Sequence, residues 1–209
     1  MQFTTIVAAF FFETGQGRSN LHTLVRAAGM TDVAPLEDIN RRALGFRESN
    51  REVLGGTWGA FGSTWAILDE VEGLICLQLY AAMNDYLDSQ LVGEDRQAMD
   101  EDPLLPYIST FRDACLSLKP IAAFLDTHAH YGDEQWENKQ GNRNWVLSHA
   151  QMVADSNANA LADERFSLLY LGEPLTLLWD SDPIRDDRDM VEVPSGRLVF
   201  ARSGPARMA

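Results

Sequence analysis

A run of β-branched and aromatic residues occupies positions 3–12, Phe-Thr-Thr-Ile-Val-Ala-Ala-Phe-Phe-Phe. Because strand side chains alternate between two faces, this run places apolar residues on both of them. It predicts a strand that is covered on both sides, near the middle of a sheet. Ile121 to Asp126 predicts a second buried strand, which also contains Ala-Ala-Phe and ends in an acidic residue followed by Thr. This similarity is typical of two strands that lie side by side and run parallel.

Three segments carry apolar residues at the spacing of a helix that lies on a sheet. The first begins near Ser19 or Asn20, either of which can cap it. The second covers residues 108–118 and ends before Pro120. The third, residues 145–161, has the clearest helical pattern. The predicted inward-facing positions are, in turn, Leu21, Leu24, Val25 and Ala28; Ile108, Phe111, Cys115 and Leu118; and Val146, Ala150, Val153, Asn157, Ala160 and Leu161.

A strand pair is predicted between the first and second helices. Residues 64–68 and 74–80 can pair across Glu70-Val-Glu-Gly73. Residues 74–91 also fit one helical face, so the alternatives are a strand that gives way to a helix or a single helix. Ahead of this pair, the sequence predicts a short helix over residues 36–44 and a Gly/aromatic loop over residues 55–62.

The last third of the chain is predicted to complete the sheet. Residues 166–171 and 175–179 predict a hairpin about Gly172-Glu-Pro174. Residues 196–201 predict a final strand at the sheet edge, and residues beyond 203 a frayed tail.

These elements predict an α+β fold in one domain spanning residues 1–209. The sheet is expected to be mixed, with about six to seven strands and helices packed on at least one face. A chain of 209 residues that is 45% hydrophobic can bury one large core. Cys76 and Cys115 lie inside apolar segments, so both are predicted to be buried free thiols.

The net charge of −14 is unevenly distributed. Residues 1–60 contain six basic and six acidic side chains, whereas residues 61–209 contain eleven basic and twenty-five acidic ones. Such a field repels nucleic-acid phosphates and attracts basic protein surfaces. No apolar run approaches the roughly 20 residues that span a bilayer, and no signal peptide is recognisable. We therefore expect a cytoplasmic protein with a basic protein partner and without direct nucleic-acid or membrane binding.

Asp126-Thr-His-Ala-His130 is the sharpest local signal for a metal site. In a strand, Asp126, His128 and His130 share one face, and His149 could be a fourth ligand. Imidazoles with a carboxylate suit zinc or a similar divalent ion, whose bound water could serve a small hydrolase. The surrounding residues resemble the first-strand metal motif of amidohydrolase-type enzymes. However, the 79 residues after His130 cannot complete a barrel of roughly 250 residues, so we do not assign that family.

The alternative for these histidines is a structural role, as polar residues at a strand end that are hydrogen-bonded to nearby carboxylates. On that interpretation the protein has no cofactor.

A weaker candidate is an anion site in the Gly-containing loop before the first helix, where backbone N–H groups meet a helix N-terminus. A tight turn followed by an N-cap explains the same residues. The candidate anion-binding residues are Gly15, Gly17, Arg18 and Ser19.

Two segments combine tryptophan with acidic side chains, as expected of a surface that meets a basic partner. Solvated loops are the alternative explanation. The candidate partner-binding residues are Asp133, Glu134, Trp136, Glu137, Asp180, Asp182, Asp186, Asp187 and Asp189.

These observations favour a binding module, specifically an inhibitor or immunity-type protein that neutralises a basic toxin or nucleic-acid enzyme. The metal-dependent hydrolase and a structural or assembly subunit are the alternatives. The sequence leaves the partner and the oligomeric state open.

Overall fold

The computed structural model describes residues 5–14, 20–36, 52–82, 105–128, 146–164, 166–179 and 190–200. Its strands are β1 (Thr5–Glu13), β2 (Met30–Pro35), β3 (Leu54–Trp58), β4 (Ser63–Val71), β5 (Leu74–Ala82), β6 (Ala122–His128), β7 (Leu168–Gly172), β8 (Met190–Val193) and β9 (Gly196–Phe200). Its helices are α1 (Leu21–Ala27), α2 (Leu105–Leu118), α3 (Ala150–Ala154), α4 (Ala158–Asp163) and α5 (Glu173–Thr176). The nine strands form one sheet in the order β2-β3-β4-β5-β1-β6-β7-β9-β8.

β1 is the fifth strand of the nine, and residues 6–12 are all buried, which confirms the prediction of a doubly covered central strand. It lies between β5 and β6, with Phe10 opposite Leu77 on one side and Ala123 on the other. Both pairs are antiparallel, so the prediction that β1 and β6 run parallel is wrong. Burial on both faces produces the same apolar pattern in either direction, and the pattern therefore carries no information about orientation.

The sheet is larger than predicted, and all of its described pairs are antiparallel rather than mixed. Sequence patterns missed β2, β3 and β8. β2 is an edge strand with mostly exposed side chains, and β8 has only four residues. In the predicted Gly/aromatic loop, Gly55 and Gly56 belong to β3 instead. A Cβ on Gly56 would lie 2.5 Å from the Thr31 carbonyl oxygen, so glycine permits the close approach of β2.

α1 and α2 cover one face of the sheet, which we call the first face. Asn20 caps α1, since its Oδ1 accepts a hydrogen bond from the Thr23 backbone N–H at 3.0 Å. The Trp58 indole N–H donates to the Ala28 carbonyl oxygen at 2.8 Å. This bond ties β3 to the end of α1. Both predicted inner faces are confirmed, because their apolar residues are buried.

The two cysteines are buried free thiols, as predicted. Burial raises the pKa of the Cys115 thiol well above its ordinary value. The unfolded chain releases this proton at about pH 8.5, whereas the folded protein retains it. Above that pH the unfolded state therefore binds fewer protons, and the stability contribution of Cys115 falls as the pH rises.

We expect this loss to appear in urea unfolding at pH 7.5 and 9.5, in the presence of a phosphine reductant. The wild type should lose about 1 kcal/mol more unfolding free energy than Cys115→Ala over this interval. An equal loss in both proteins would show that Cys115 ionises normally in the fold.

The second face is covered by α3, α4 and α5. The single helix predicted over residues 145–161 is wrong, because α3 and α4 are separated by a turn at Asp155 and Ser156. Ser156 has a φ of 55°, which an α-helix cannot accommodate. The Asn157 side chain then caps α4 by accepting from the Ala160 N–H at 3.0 Å. Because the apolar spacing continues across this break, the sequence pattern could not reveal the turn.

The hairpin predicted from residues 166–171 and 175–179 is also wrong in its second half. β7 forms as expected, but it pairs with β6 and β9. Pro174 lies in the first turn of α5, where its missing N–H is tolerated, and the chain leaves the sheet there. β9 confirms the predicted last strand, although β8 rather than β9 occupies the edge.

Candidate functional site

Two of the predicted metal ligands, Asp126 and His149, are described, and both have protein partners. Asp126 lies near the end of β6, and its Oδ1 accepts a hydrogen bond from the Ser167 hydroxyl at 2.8 Å. His149 is buried, with its Nε2 at 3.4 Å from a carboxylate oxygen of Glu164. Its ring meets the rings of Phe124 and Phe166 edge-on, at centroid distances of 5.4 and 5.0 Å. These contacts place His149 in the aromatic core of the second face.

The other two predicted ligands are His128 and His130. The backbone of His128 ends β6 opposite Thr5, but its side chain and the whole of His130 lie outside the described residues. Within the described ranges, no group of three or more His, Cys, Asp or Glu side chains is arranged to hold a metal ion. The metal site, and with it the hydrolase hypothesis, therefore stays a prediction.

The candidate anion site is described only at its two ends. Thr14 follows β1 and Asn20 precedes α1, which confirms the predicted strand and helix on either side of these residues. Gly15, Gly17, Arg18 and Ser19 lie outside the described residues. Anion binding by this loop stays a prediction.

The predicted partner-binding residues also lie outside the described ranges, both in residues 133–137 and in residues 180–189. Residues 180–189, here called the acidic segment, include five aspartates and two arginines. The structure does describe the residues that flank this segment. It begins after Trp179, which follows α5, and it ends before Met190, the first residue of the edge strand β8.

The residues just before the acidic segment have an unusual exposure pattern. Leu175 and Trp179 are buried on the second face, with 1% and 8% of their surface exposed. Between them, Leu177 and Leu178 are 81% and 56% exposed. The Arg197 guanidinium carbon lies 5.6 Å from the centre of the Trp179 ring, in a cation–π arrangement. Two leucines are therefore held at the surface beside two buried side chains.

Sequence reasoning missed these two leucines because it assigned residues 175–179 to a strand. In a strand, Leu175, Leu177 and Trp179 would share one face, and all three would be buried together. Pro174 after Gly172-Glu173 was the available signal, since it favours a helix start at that point.

A buried polar group on the second face was also missed. The Gln78 side-chain amide donates to a carboxylate oxygen of Asp69 at 2.8 Å, and the Tyr80 hydroxyl donates to the Gln78 amide oxygen. All three side chains are buried, and the Trp65 ring stacks on Tyr80 with a centroid distance of 5.9 Å. Because buried polar groups require partners, this arrangement favours one register between β4 and β5. The signal was present as polar residues inside two apolar strands.

Searches for related proteins place this chain in no family. No family model matches the sequence, and no curated protein matches it. One solved structure, described as a Pseudomonas aeruginosa T6SS protein, is 12% identical and has a TM-score of 0.47. The similarity covers 94% of this chain but only 65% of that chain. Similarity at this level supports no conclusion about function. No helix in the described ranges is long and apolar enough to cross a membrane.

Proposed function

We propose that this protein is an acidic cytoplasmic module that binds and neutralises a basic protein. The proposed partner is a toxin or a nucleic-acid enzyme, which are the proteins that inhibitors and immunity-type proteins bind. The observation that carries this proposal is the charge distribution. The chain has 31 acidic and 17 basic residues, and its entire negative excess lies after residue 60.

Internal pairing cannot neutralise this excess. Even if every lysine and arginine matched one carboxylate, the net charge of −14 would remain. Arg112 with Asp113 and Arg197 with Glu192 are such pairs in the described part of the chain. A field of this sign accelerates encounter with a basic protein and disfavours encounter with nucleic acid.

The chemistry of the carboxylates also fits the proposed partner. A toxin or enzyme that acts on nucleic acid has basic side chains where it binds phosphates. Carboxylates can pair with these same lysines and arginines through charge-assisted hydrogen bonds. An acidic module can thereby occupy the site of the nucleic acid without catalytic groups of its own.

The adjacent gene supplies the probe for a test, since inhibitors are usually encoded beside their targets. We expect its product to form an equimolar complex with this protein in calorimetry at about 0.15 M salt, with a Kd below about 1 μM. The activity of the partner should fall to background at equimolar ratio. Absence of binding at low and moderate salt would contradict the proposal.

A further inference from the structure

We propose that Leu177 and Leu178 are the apolar contact through which this protein docks on its basic partner. The partner surface that fits them is an apolar pocket bordered by lysine and arginine side chains. This inference rests on the proposed function and identifies the contact surface that the function would use.

The exposure of these leucines is the first observation. Leu177 and Leu178 are adjacent in the chain, and 81% and 56% of their surfaces are exposed. Among the large apolar side chains of the described ranges, the other exposed one is Leu105, at 43%. Leu105 begins α2, which covers the opposite face of the sheet. Adjacent exposed leucines create a local apolar surface of the kind that marks interaction sites.

The backbone holds these leucines in a defined position. The N–H groups of Leu177 and Leu178 donate to the carbonyl oxygens of Glu173 and Leu175, at 3.3 and 3.1 Å. The Thr176 hydroxyl donates to the Leu171 carbonyl oxygen at 2.9 Å. The buried side chains of Leu175 and Trp179 hold both ends of this turn. A surface fixed in this way loses little conformational entropy on binding.

The charge beside the leucines identifies the occupant. Glu173 precedes Leu177 by four residues, and Asp180 and Asp182 follow Leu178 closely in the sequence. Carboxylates that adjoin an apolar contact in the chain are complementary to basic side chains around an apolar pocket. A second copy of this chain carries the same net charge of −14 and an anionic lipid surface is also negative, so each would repel this protein. The charge therefore favours a basic protein as the occupant.

The test uses the double variant Leu177→Ser/Leu178→Ser and the product of the adjacent gene as the probe. Full burial of one leucine corresponds to about a tenfold to hundredfold change in Kd. We expect the double variant to raise the Kd at least about 100-fold, chiefly through faster dissociation. The matched control Leu105→Ser exchanges another exposed leucine on the opposite face, and it should change the Kd less than about threefold.

The outcomes separate this inference from the proposed function. If the double variant binds as the wild type does, with the same salt dependence, the leucine contact is wrong and the acidic binding module stands. If the wild type does not bind the probe, both are wrong. If the wild type sediments as a dimer and the double variant as a monomer, the leucines contact a second copy and the inference is overturned. A fall in Tm beyond about 5 °C in the double variant also overturns it, because exposed leucines should not support the fold.

Discussion

Gly196→Ala is expected to lower the free energy of unfolding by about 3 kcal/mol or more. A Cβ at this position would lie 2.1 Å from the Leu171 carbonyl oxygen and 3.0 Å from the Gly172 Cα. Both atoms belong to the backbone of β7, which pairs with β9 in a continuous ladder. No flexible side chain can move aside, so the two strands would have to separate locally. Urea unfolding followed by circular dichroism measures the change.

Gly73→Ala is the matched control for this substitution. Gly73 has a φ of 73° in the turn between β4 and β5, and nothing lies within 4 Å of a Cβ placed there. Its replacement should lower the free energy of unfolding by only about 1–2 kcal/mol, because Ala must adopt a left-handed conformation there but meets no clash. Equal losses in the two variants would show that the close approach of β7 and β9 is wrong.

Neutralising the acidic segment is expected to slow capture of the basic partner. In the variant with Asn in place of Asp182, Asp186, Asp187 and Asp189, the association rate constant should fall about tenfold or more at about 0.1 M salt. These four side chains lie a few residues beyond the exposed leucines in the sequence. Under the proposed function this segment meets the partner, so loss of its charge reduces steering more than the same loss elsewhere, since screening confines each charge to about 10 Å at 0.1 M salt.

A second variant with the same change in charge provides the control. Asp32→Asn, Glu52→Gln, Glu70→Gln and Glu72→Gln neutralise four exposed carboxylates around β2, β3 and β4, toward the opposite edge of the sheet. Both variants lower the magnitude of the net charge from −14 by four. Stopped-flow association should slow less than about threefold in this control. Equal effects would mean that total charge, rather than the acidic segment, governs capture.

Much of the sheet could be predicted because its central strands are buried on both faces. β1, β5 and β6 are mainly apolar, and α2 has a regular apolar stripe. The prediction of a strand at residues 74–80 is confirmed, although the helix proposed after it lies outside the described residues. The predicted short helix at residues 36–44 and the frayed tail lie largely or wholly outside them too.

Strand direction and the edges of the sheet could not be predicted in the same way. The apolar pattern of a doubly covered strand is symmetric, so β1 and β6 gave no sign of their antiparallel pairing. β2 exposes most of its side chains and therefore lacks the alternation that identifies a strand. The break between α3 and α4 depends on the backbone of Ser156, which apolar spacing does not report.

The candidate sites could likewise be predicted only in part. The net charge can be counted from the sequence, but the sequence does not show which apolar side chains are exposed near the charged residues. Leu177 and Leu178 were expected in a strand, and only the turn after α5 exposes both of them. Asp126 and His149 were expected as ligands, and the structure shows what each contacts: the Ser167 hydroxyl and the Glu164 carboxylate.

The dependence of capture on ionic strength tests the central claim most directly. The association rate constant of the wild type with the adjacent-gene product would be measured by stopped flow between about 20 and 500 mM NaCl, where the Debye length shortens severalfold. If negative potential drives capture, the rate constant falls by about tenfold to a thousandfold across this range. A rate constant that does not change with salt would contradict electrostatic capture as the function of this protein.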